Sequence, residues 1–380
     1  MAEQYFAPCP RGLEAALANE LRAFGAIDVA ASDGGASFAG SRELAYTTNL
    51  ESRLASRILW RVGGGRYRNE KEVHAIARAI DWPRHFHGAR TLRVDVTATK
   101  SPLASIEYAT LTIKDAIVDR FRAASGSRPS IDKRSPDVRV FAYLSRDDAT
   151  LYLDTSGEPL FKRGYRRDAD EAPLRENLAA GILKLCEWTP QQPLLDPMCG
   201  SGTIVIEAAL IAADRAPGLM RTFAFQKLAW YDGPTWQRVR QKAMDRVRAP
   251  STASMLFASD RAEGAIGKCA SNARAAKVDG WLTLQQADVL NRDAPAATGV
   301  IVTNPPYGVR LDELDDLAEF YPKLGDTLKR RFAGWDAWIF SGDLRLPKHI
   351  RLKVARRIPL WNGAIECRLF NIPLVAGSNR

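Results

Sequence analysis

The chain has 380 residues, 46% apolar and 26% charged, a balance that excludes wholesale disorder and, at roughly 100–200 residues per domain, leads us to expect two or three domains. Fifty-four Lys and Arg against 44 Asp and Glu leave a net charge of +10, which suits a polyanion-binding protein as well as an ordinary basic surface. No run approaches the ~20 apolar residues of a membrane span, and the opening MAEQYFAPCPRGLEAALANE lacks the basic-then-apolar order of a secretory leader.

In chain order, Leu13, Leu17, Leu21 and Phe24 recur at helical spacing, with Gly25 as the stop. A second helical pattern runs through Leu44, Leu50, Leu54 and Ile58 and is expected to break at Gly63, Gly64 and Gly65. Thr91 to Val96 alternates apolar and polar, as a half-buried strand does. Ile106, Ile113, Ile117 and Phe121 mark another amphipathic helix, and residues 138–144 and 149–154 read as strands joined by the turn Arg146-Asp147-Asp148. Residues 157–172, GEPLFKRGYRRDADEA, are turn-rich and charged and read as a linker or hinge. Beyond them strands and helices alternate. Leu194-Leu195 leads into DPMCGSGT and a helix over 204–213. A strand over 255–259 precedes a helix over 262–276, and a strand over 281–286 ends before Asp288. A strand over 300–303 ends at NPPY, followed by a helix over 313–331, a strand over 335–340 and a last strand over 365–372. That order implies βαβ units and a parallel sheet covered on both faces.

In such a sheet, ligands bind beyond the carboxyl ends of the strands. Gly200, Ser201 and Gly202 form a Gly-x-Gly loop between a strand and a helix, with Asp196 at the strand end. The loop lets the backbone approach a ligand and frees N–H groups at the helix start. It lacks both GxxxxGK[ST] and a full GxGxxG, and a tight turn inside a core is the competing reading. Cys199 within it reads as a small packing residue rather than a nucleophile. Asp260, after the second strand, is placed to accept two ribose hydroxyls, and Asp288, after the third, to accept an exocyclic adenine amine. Either alone reads first as a helix N-cap or turn residue, but three acids at successive strand ends suit a nucleoside without phosphates. Asn304-Pro305-Pro306-Tyr307-Gly308 is the most specific signal. Two prolines fix the backbone and remove donors, so the Asn304 oxygen and Pro305 carbonyl can accept from one NH₂ group, and Tyr307 offers a face for stacking.

DPMCGSGT, Ser259-Asp260, Ala287-Asp288 and NPPYG in this order resemble the class I S-adenosylmethionine-dependent amino-methyltransferases. With FAPCPRGLEAALANEL at the start, DTSGEPLFKRGYR at 154–166, LRENLAAGIL at 174–183 and FAFQ at 223–226, nearly the whole chain resembles the THUMP-containing RNA guanine-N2 methyltransferases, most of all the bacterial ribosomal RNA large subunit methyltransferase L family. The resemblance implies an α/β fold class: a Rossmann-like class I methyltransferase domain at 173–380, preceded by a small α+β module. That module would be a ferredoxin-like domain at 1–48 and a THUMP RNA-binding domain at 49–157, with a linker at 158–172. It implies S-adenosylmethionine as cofactor, held by Asp196, Cys199, Gly200, Ser201, Gly202, Asp260, Asp288 and Asn304, with Asn304, Pro305 and Tyr307 at the chemical step. Some members carry a second methyltransferase domain, and only one is expected here. Family members with an acid two residues past the second-strand Asp have Ala262 as their counterpart here, which leaves ribose binding to Asp260.

The expected substrate is a guanine in RNA, foremost 23S rRNA. The alternatives are tRNA, adenine N6 of RNA or DNA, a protein glutamine amide, and an RNA-binding protein whose methyltransferase domain has decayed. The intact strand-end signals count against decay, and the RNA-binding front half against a protein substrate. A pyrimidine C5 enzyme would need a Pro-Cys at the fourth strand end, whereas the chain's Pro8-Cys9 lies far from it. The basic groups Lys162, Arg163, Arg166, Arg167 and Arg345, Lys348, Arg351, Lys353, Arg356, Arg357 read as solvated faces or RNA contacts. Cys9, Cys186, Cys199, Cys269 and Cys367 form no CxxC pair, and His74, His85, His87 and His349 show no metal spacing, so no metal is expected and a reducing cytoplasm is the expected setting.

Overall fold

The structure, a computed structural model, describes residues 2–166, 174–250, 255–306 and 311–375, with the backbone alone for 311–318. It divides into two units. One comprises Met1–Pro8, Ala18–Leu160 and Arg221–Gln241, and the other Cys9–Leu17, Phe161–Met220 and Lys242–Arg380.

The chain begins with β1 (Glu3–Pro8), α1 (Glu14–Ala23), β2 (Ile27–Ser32), β3 (Gly35–Gly40), α2 (Arg42–Glu51) and β4 (Leu59–Arg66). It continues through α3 (Glu70–Ala79), β5 (Leu92–Ala98), α4 (Ile106–Ser125), β6 (Val138–Leu144) and β7 (Asp148–Asp154). Ser41, Asn69 and Ser105 cap α2, α3 and α4, each side chain accepting a backbone N–H three residues on. The strands form one seven-stranded sheet in the order β2-β3-β1-β4-β7-β6-β5. β5 and β6 run parallel, and the other neighbours antiparallel. In β6 the alternation of VRVFAYL is the alternation of burial: Val138, Val140, Ala142 and Leu144 are buried, while the residues between them are not.

Gly63, Gly64 and Gly65 do not break a helix, contrary to the sequence expectation. α2 ends at Glu51, and all three glycines lie within β4. Space explains the first two. A Cβ at Gly63 would lie 2.6 Å from Ile80 Cδ1, and one at Gly64 2.6 Å from the Ala149 carbonyl oxygen. β4 carries a register shift at the same point. FAFQ also belongs to this unit. Phe223 and Phe225 stack 5.2 Å apart, and Phe225 packs 4.6 Å from Tyr46 and 5.1 Å from Trp236, so the motif builds an aromatic core.

The second unit contains α5 (Glu176–Leu185), β8 (Leu194–Asp196) and α6 (Thr203–Ala212). After α7 (Gly233–Asp245) come β9 (Leu256–Asp260), α8 (Glu263–Ala276), β10 (Leu282–Gln286), β11 (Gly299–Thr303) and α9 (Leu311–Arg331). β12 (Trp335–Ser341), α10 (Leu346–His349), β13 (Arg356–Asn362) and β14 (Ile365–Pro373) follow. The sheet order is β10-β9-β8-β11-β12-β14-β13. Its first five strands are parallel, and β14 runs antiparallel to β12 and β13. Both faces are covered. Val300 and Val302 enter one hydrophobic cluster with residues of α5, α6 and α8, and Ile301 enters another with Tyr321, Leu324 and Leu328 of α9. The strand therefore reads as an unbroken apolar run. Each such side chain contributes roughly 1.5–3 kcal/mol on burial. β13 is a strand where the sequence showed only a basic stretch: Leu360 is buried in its interior, and Arg356 and Arg357 are exposed. Leu13 also packs in this unit, where Gly181 leaves it room: a Cβ there would lie 2.3 Å from Leu13 Cδ1.

Candidate active site

β10, β9, β8 and β11 are adjacent and parallel, so their carboxyl ends share a rim. Asp196, Asp260, Asp288 and Asn304 stand along it, at or just past the strand ends. The three aspartates make the same local turn. Each carboxylate accepts the backbone N–H two residues on: Met198 at 3.3 Å, Ala262 at 3.0 Å and Leu290 at 2.9 Å. The turn role weighed for these acids in the sequence is thus present at all three, and each carboxylate retains further lone pairs.

Asp260 also anchors the glycine loop. Its second oxygen accepts the Gly200 N–H at 3.0 Å, and the Ser259 carbonyl accepts the Cys199 N–H at 3.0 Å. Asn272 of α8 donates to the Ser201 carbonyl at 3.1 Å, so the loop is held from two sides. Gly202, at φ 86°, must be glycine for a second reason: a Cβ would lie 2.3 Å from Cys269 Sγ. At Gly200 a Cβ would meet nothing within 4 Å, so this part of the loop faces open space. Cys199 is buried beside Cys269. The neighbouring thiol and burial push its own thiol up, away from thiolate formation, in keeping with a packing role.

Asp196 is 2% exposed, and burial pushes its carboxyl up to about 7 against hydrogen bonds from Thr303 and Met198. The Thr303 hydroxyl donates at 2.8 Å and ties the end of β11 to that of β8. Sequence reading missed this threonine, although its place directly before NPP was the available signal. An unfolded aspartate releases its proton near ~3.9, whereas native Asp196 holds it to about 7. Through this group the native state therefore loses stability as pH rises across that window. Asp196→Asn keeps the acceptor and cannot ionise. We expect it to flatten the fall in Tm of the ligand-free protein between pH ~5 and ~7. Equal slopes in the two proteins would remove Asp196 as the source.

Asn304 differs from the aspartates. Its Oδ1 is buried and has no hydrogen-bond partner among the described residues. An unmet buried acceptor costs about 1–3 kcal/mol. Pro305 beside it is buried, while Tyr307 and Gly308 lie outside the described residues.

Within the basic stretch at 162–167, Arg163 and Arg166 do not form an open face. Arg163 is buried and paired with Glu207 of α6 at 3.3 Å. Arg166 donates to Thr203 Oγ1 at 2.8 Å and pairs with Glu176 at 3.4 Å. Arg163 thus braces the middle of α6, and Arg166 the first residues of α6 and α5, which sequence reading missed because charge alone does not show burial. Arg167 lies outside the described residues. In the later group Arg345 is held by Asp343 at 3.0 Å, and Arg356 pairs with Glu187 at 3.7 Å. Among the described residues no group of three His, Cys, Asp or Glu could hold a metal ion. His85 packs edge-on to Trp60, and burial lowers its pKa.

A family model described as RMKL-like, methyltransferase domain, matches residues 163–371. The chain belongs to the RMKL-like methyltransferase family. A THUMP domain matches residues 67–154 and an RlmL ferredoxin-like domain residues 4–59. The RMKL-like chain is 42% identical to the ribosomal RNA large subunit methyltransferase K/L of Syntrophotalea carbinolica, over 98% of its own length and 53% of the relative's. It is 37% identical to "Putative RNA methyltransferase slr0064" of Synechocystis sp., over 97% of its own length and 96% of the relative's. It spans about half the length of the K/L relatives. The crystal structure of SMU.472 complexed with SAH covers 100% of the chain at TM-score 0.89 and 29% identity. The fold is therefore an α+β THUMP and ferredoxin-like module followed by a Rossmann-like class I domain, and its cofactor is S-adenosylmethionine. The rim of this RMKL-like domain fits that group: Gly200 faces open space, residues 196–203 contain no basic residue to meet a phosphate, and Asp260 stands beside the loop.

Proposed function

We propose that the chain transfers a methyl group from S-adenosylmethionine to the exocyclic N2 amine of a guanine in RNA, foremost 23S rRNA, in the cytoplasm. The observation that carries this reading is the buried, unpartnered Asn304 Oδ1 at the end of β11, next to two prolines. An acceptor unmet among the described residues, at a strand end on the rim, suits a donor from outside. An amine with two N–H groups satisfies it and the Pro305 carbonyl together. The names of the K/L relatives and the matched THUMP and ferredoxin-like domains favour ribosomal RNA over other amines.

Within this reading residues 1–48 form the ferredoxin-like domain, 49–157 the RNA-binding THUMP domain, 158–172 the linker and 173–380 the methyltransferase domain. Asp196, Cys199, Gly200, Ser201, Gly202, Asp260, Asp288 and Asn304 line the cofactor site, with Asp260 toward the ribose hydroxyls and Asp288 toward the adenine amine. Bound there, the cofactor supplies a methyl on a sulfonium. The guanine N2 lone pair is conjugated into its ring and attacks poorly. Asn304 and Pro305 orient the amine and stabilise the positive charge growing on nitrogen. Tyr307 stacks on the base once it leaves its neighbours. The surplus proton passes to water, so no strong base is required.

Transfer of labelled methyl into purified 23S rRNA, 16S rRNA and tRNA, compared side by side, tests the substrate. The label should concentrate in 23S rRNA. Label confined to tRNA would replace ribosomal RNA by transfer RNA, and label in none would remove RNA as substrate.

A further inference from the structure

The sheet of the first unit has one helix-covered face, toward which Val138, Val140, Ala142 and Leu144 point, and an opposite face that is open at Tyr143 and Arg61 and covered at Leu59 and Asp154. On the open face Phe141 stands opposite Tyr152 and Tyr143 opposite Thr150, and Arg61 stands opposite Tyr152 from the other side. Arg139 is level with Arg93 of β5. The period of two puts all of these on one side. The Phe6 ring lies 6.4 Å from Tyr152, and the Arg57 guanidinium lies 5.4 Å over Phe141. Tyr143 is 42% exposed, Arg61 is exposed, and Phe6, Phe141 and Tyr152 are half-buried. The face therefore carries flat rings on β6, β7 and β1, with guanidinium groups on β4, β5 and β6 among them.

Charge and composition say what it would take. Arg57, Arg61, Arg93 and Arg139 stand on this face against Asp95 and Asp154. Those two acids hold Arg93 at 2.7 Å, Arg139 at 3.6 Å and Arg57, leaving a positive surplus. Leu59, opposite Asp154 in these rows, is buried. Protein–protein patches enrich Tyr, Phe and Arg too, but their cores are depleted in charge overall, whereas four arginines and two aspartates stand among these rings. Rings beside arginines instead match bases and phosphates, since every base has a π face and every linkage a negative charge.

We propose that this open sheet face is a stacking platform for single-stranded RNA, with bases on Tyr143, Phe141 and Tyr152 and the backbone along Arg61 and Arg139. It rests on the reading of RNA as the substrate class. It shares no residue with the methyl-transfer rim, so it acts on affinity and not on the chemical step.

Fluorescence anisotropy of the full chain, with a short unstructured oligoribonucleotide and with a blunt RNA duplex, tests it. Tyr143→Ala should bind the single strand about tenfold more weakly, while Tyr143→Phe, which keeps the ring, stays at wild-type affinity. Arg61→Ala should weaken binding and lower the salt dependence by about one counterion. Duplex affinity should not change with Tyr143. In methyl transfer to RNA, Tyr143→Ala should raise KM and leave kcat unchanged. Wild-type single-strand affinity in Tyr143→Ala overturns the platform, as would a face that serves a protein partner instead. Tyr143-dependent binding by an enzyme that methylates no RNA would keep the platform and remove the substrate reading. Methylation of RNA with Tyr143-independent binding would do the reverse.

Discussion

Asn304→Ala is expected to lower the single-turnover rate of methyl transfer by about 10²–10³-fold, the usual cost of removing one preorganised group that meets developing charge. Cofactor affinity should stay within about twofold: Asn304 lines the cofactor site, but its side-chain oxygen is assigned to the acceptor amine, and the hydrogen bonds assigned to the cofactor's ribose and adenine rest on Asp260 and Asp288. The variant should also fold. Asn304 Oδ1 makes no hydrogen bond among the described residues, so truncation breaks none there. Asn304→Asp keeps an acceptor and should retain more activity than Asn304→Ala. Rapid-quench kinetics with pre-bound cofactor separates the two effects. A near wild-type rate in Asn304→Ala would end the amine-orienting role.

The second large effect is on cofactor binding. Asp260→Ala should weaken binding of S-adenosylmethionine and its demethylated product about ten- to a hundredfold, from roughly 1–3 kcal/mol of lost hydrogen bonding. Two losses combine. The ligand hydroxyls lose their acceptor, and Gly200 loses the carboxylate that holds its N–H at 3.0 Å. Isothermal titration reads the sum. Asn272→Ala removes only the support at the Ser201 carbonyl, so it should have the smaller effect. Unchanged affinity in Asp260→Ala would take this carboxylate out of the site.

How much of this was legible in the sequence follows from where periodicity and punctuation speak. The strand-to-loop steps at 194–203 and 300–306 could be read because apolar runs end abruptly in Asp, Gly or Asn-Pro-Pro. The strands of the first unit were harder. β4 carries two glycines, Gly63 and Gly64, that leave room for the close approach of Ile80 and of the Ala149 carbonyl, and those neighbours are invisible along the chain. β13 was hidden by its arginines, which stay exposed while Leu360 packs inward. At the site, residue types pointed to the rim but not to its internal bonds. Asp196 with Thr303, Asp260 with Gly200 and Arg166 with Thr203 are pairings of distant residues. Arg163 has the same cause: a buried ion pair and a solvated basic face look alike in sequence.

The central claim is that the rim at Asn304 serves a guanine amine in RNA. Nucleoside mass spectrometry of RNA methylated by the purified chain tests it most directly. N2-methylguanosine, formed by the wild type and lost in Asn304→Ala, is the predicted result. A methyl group found on adenine N6 instead, or RNA that gains none, would contradict it.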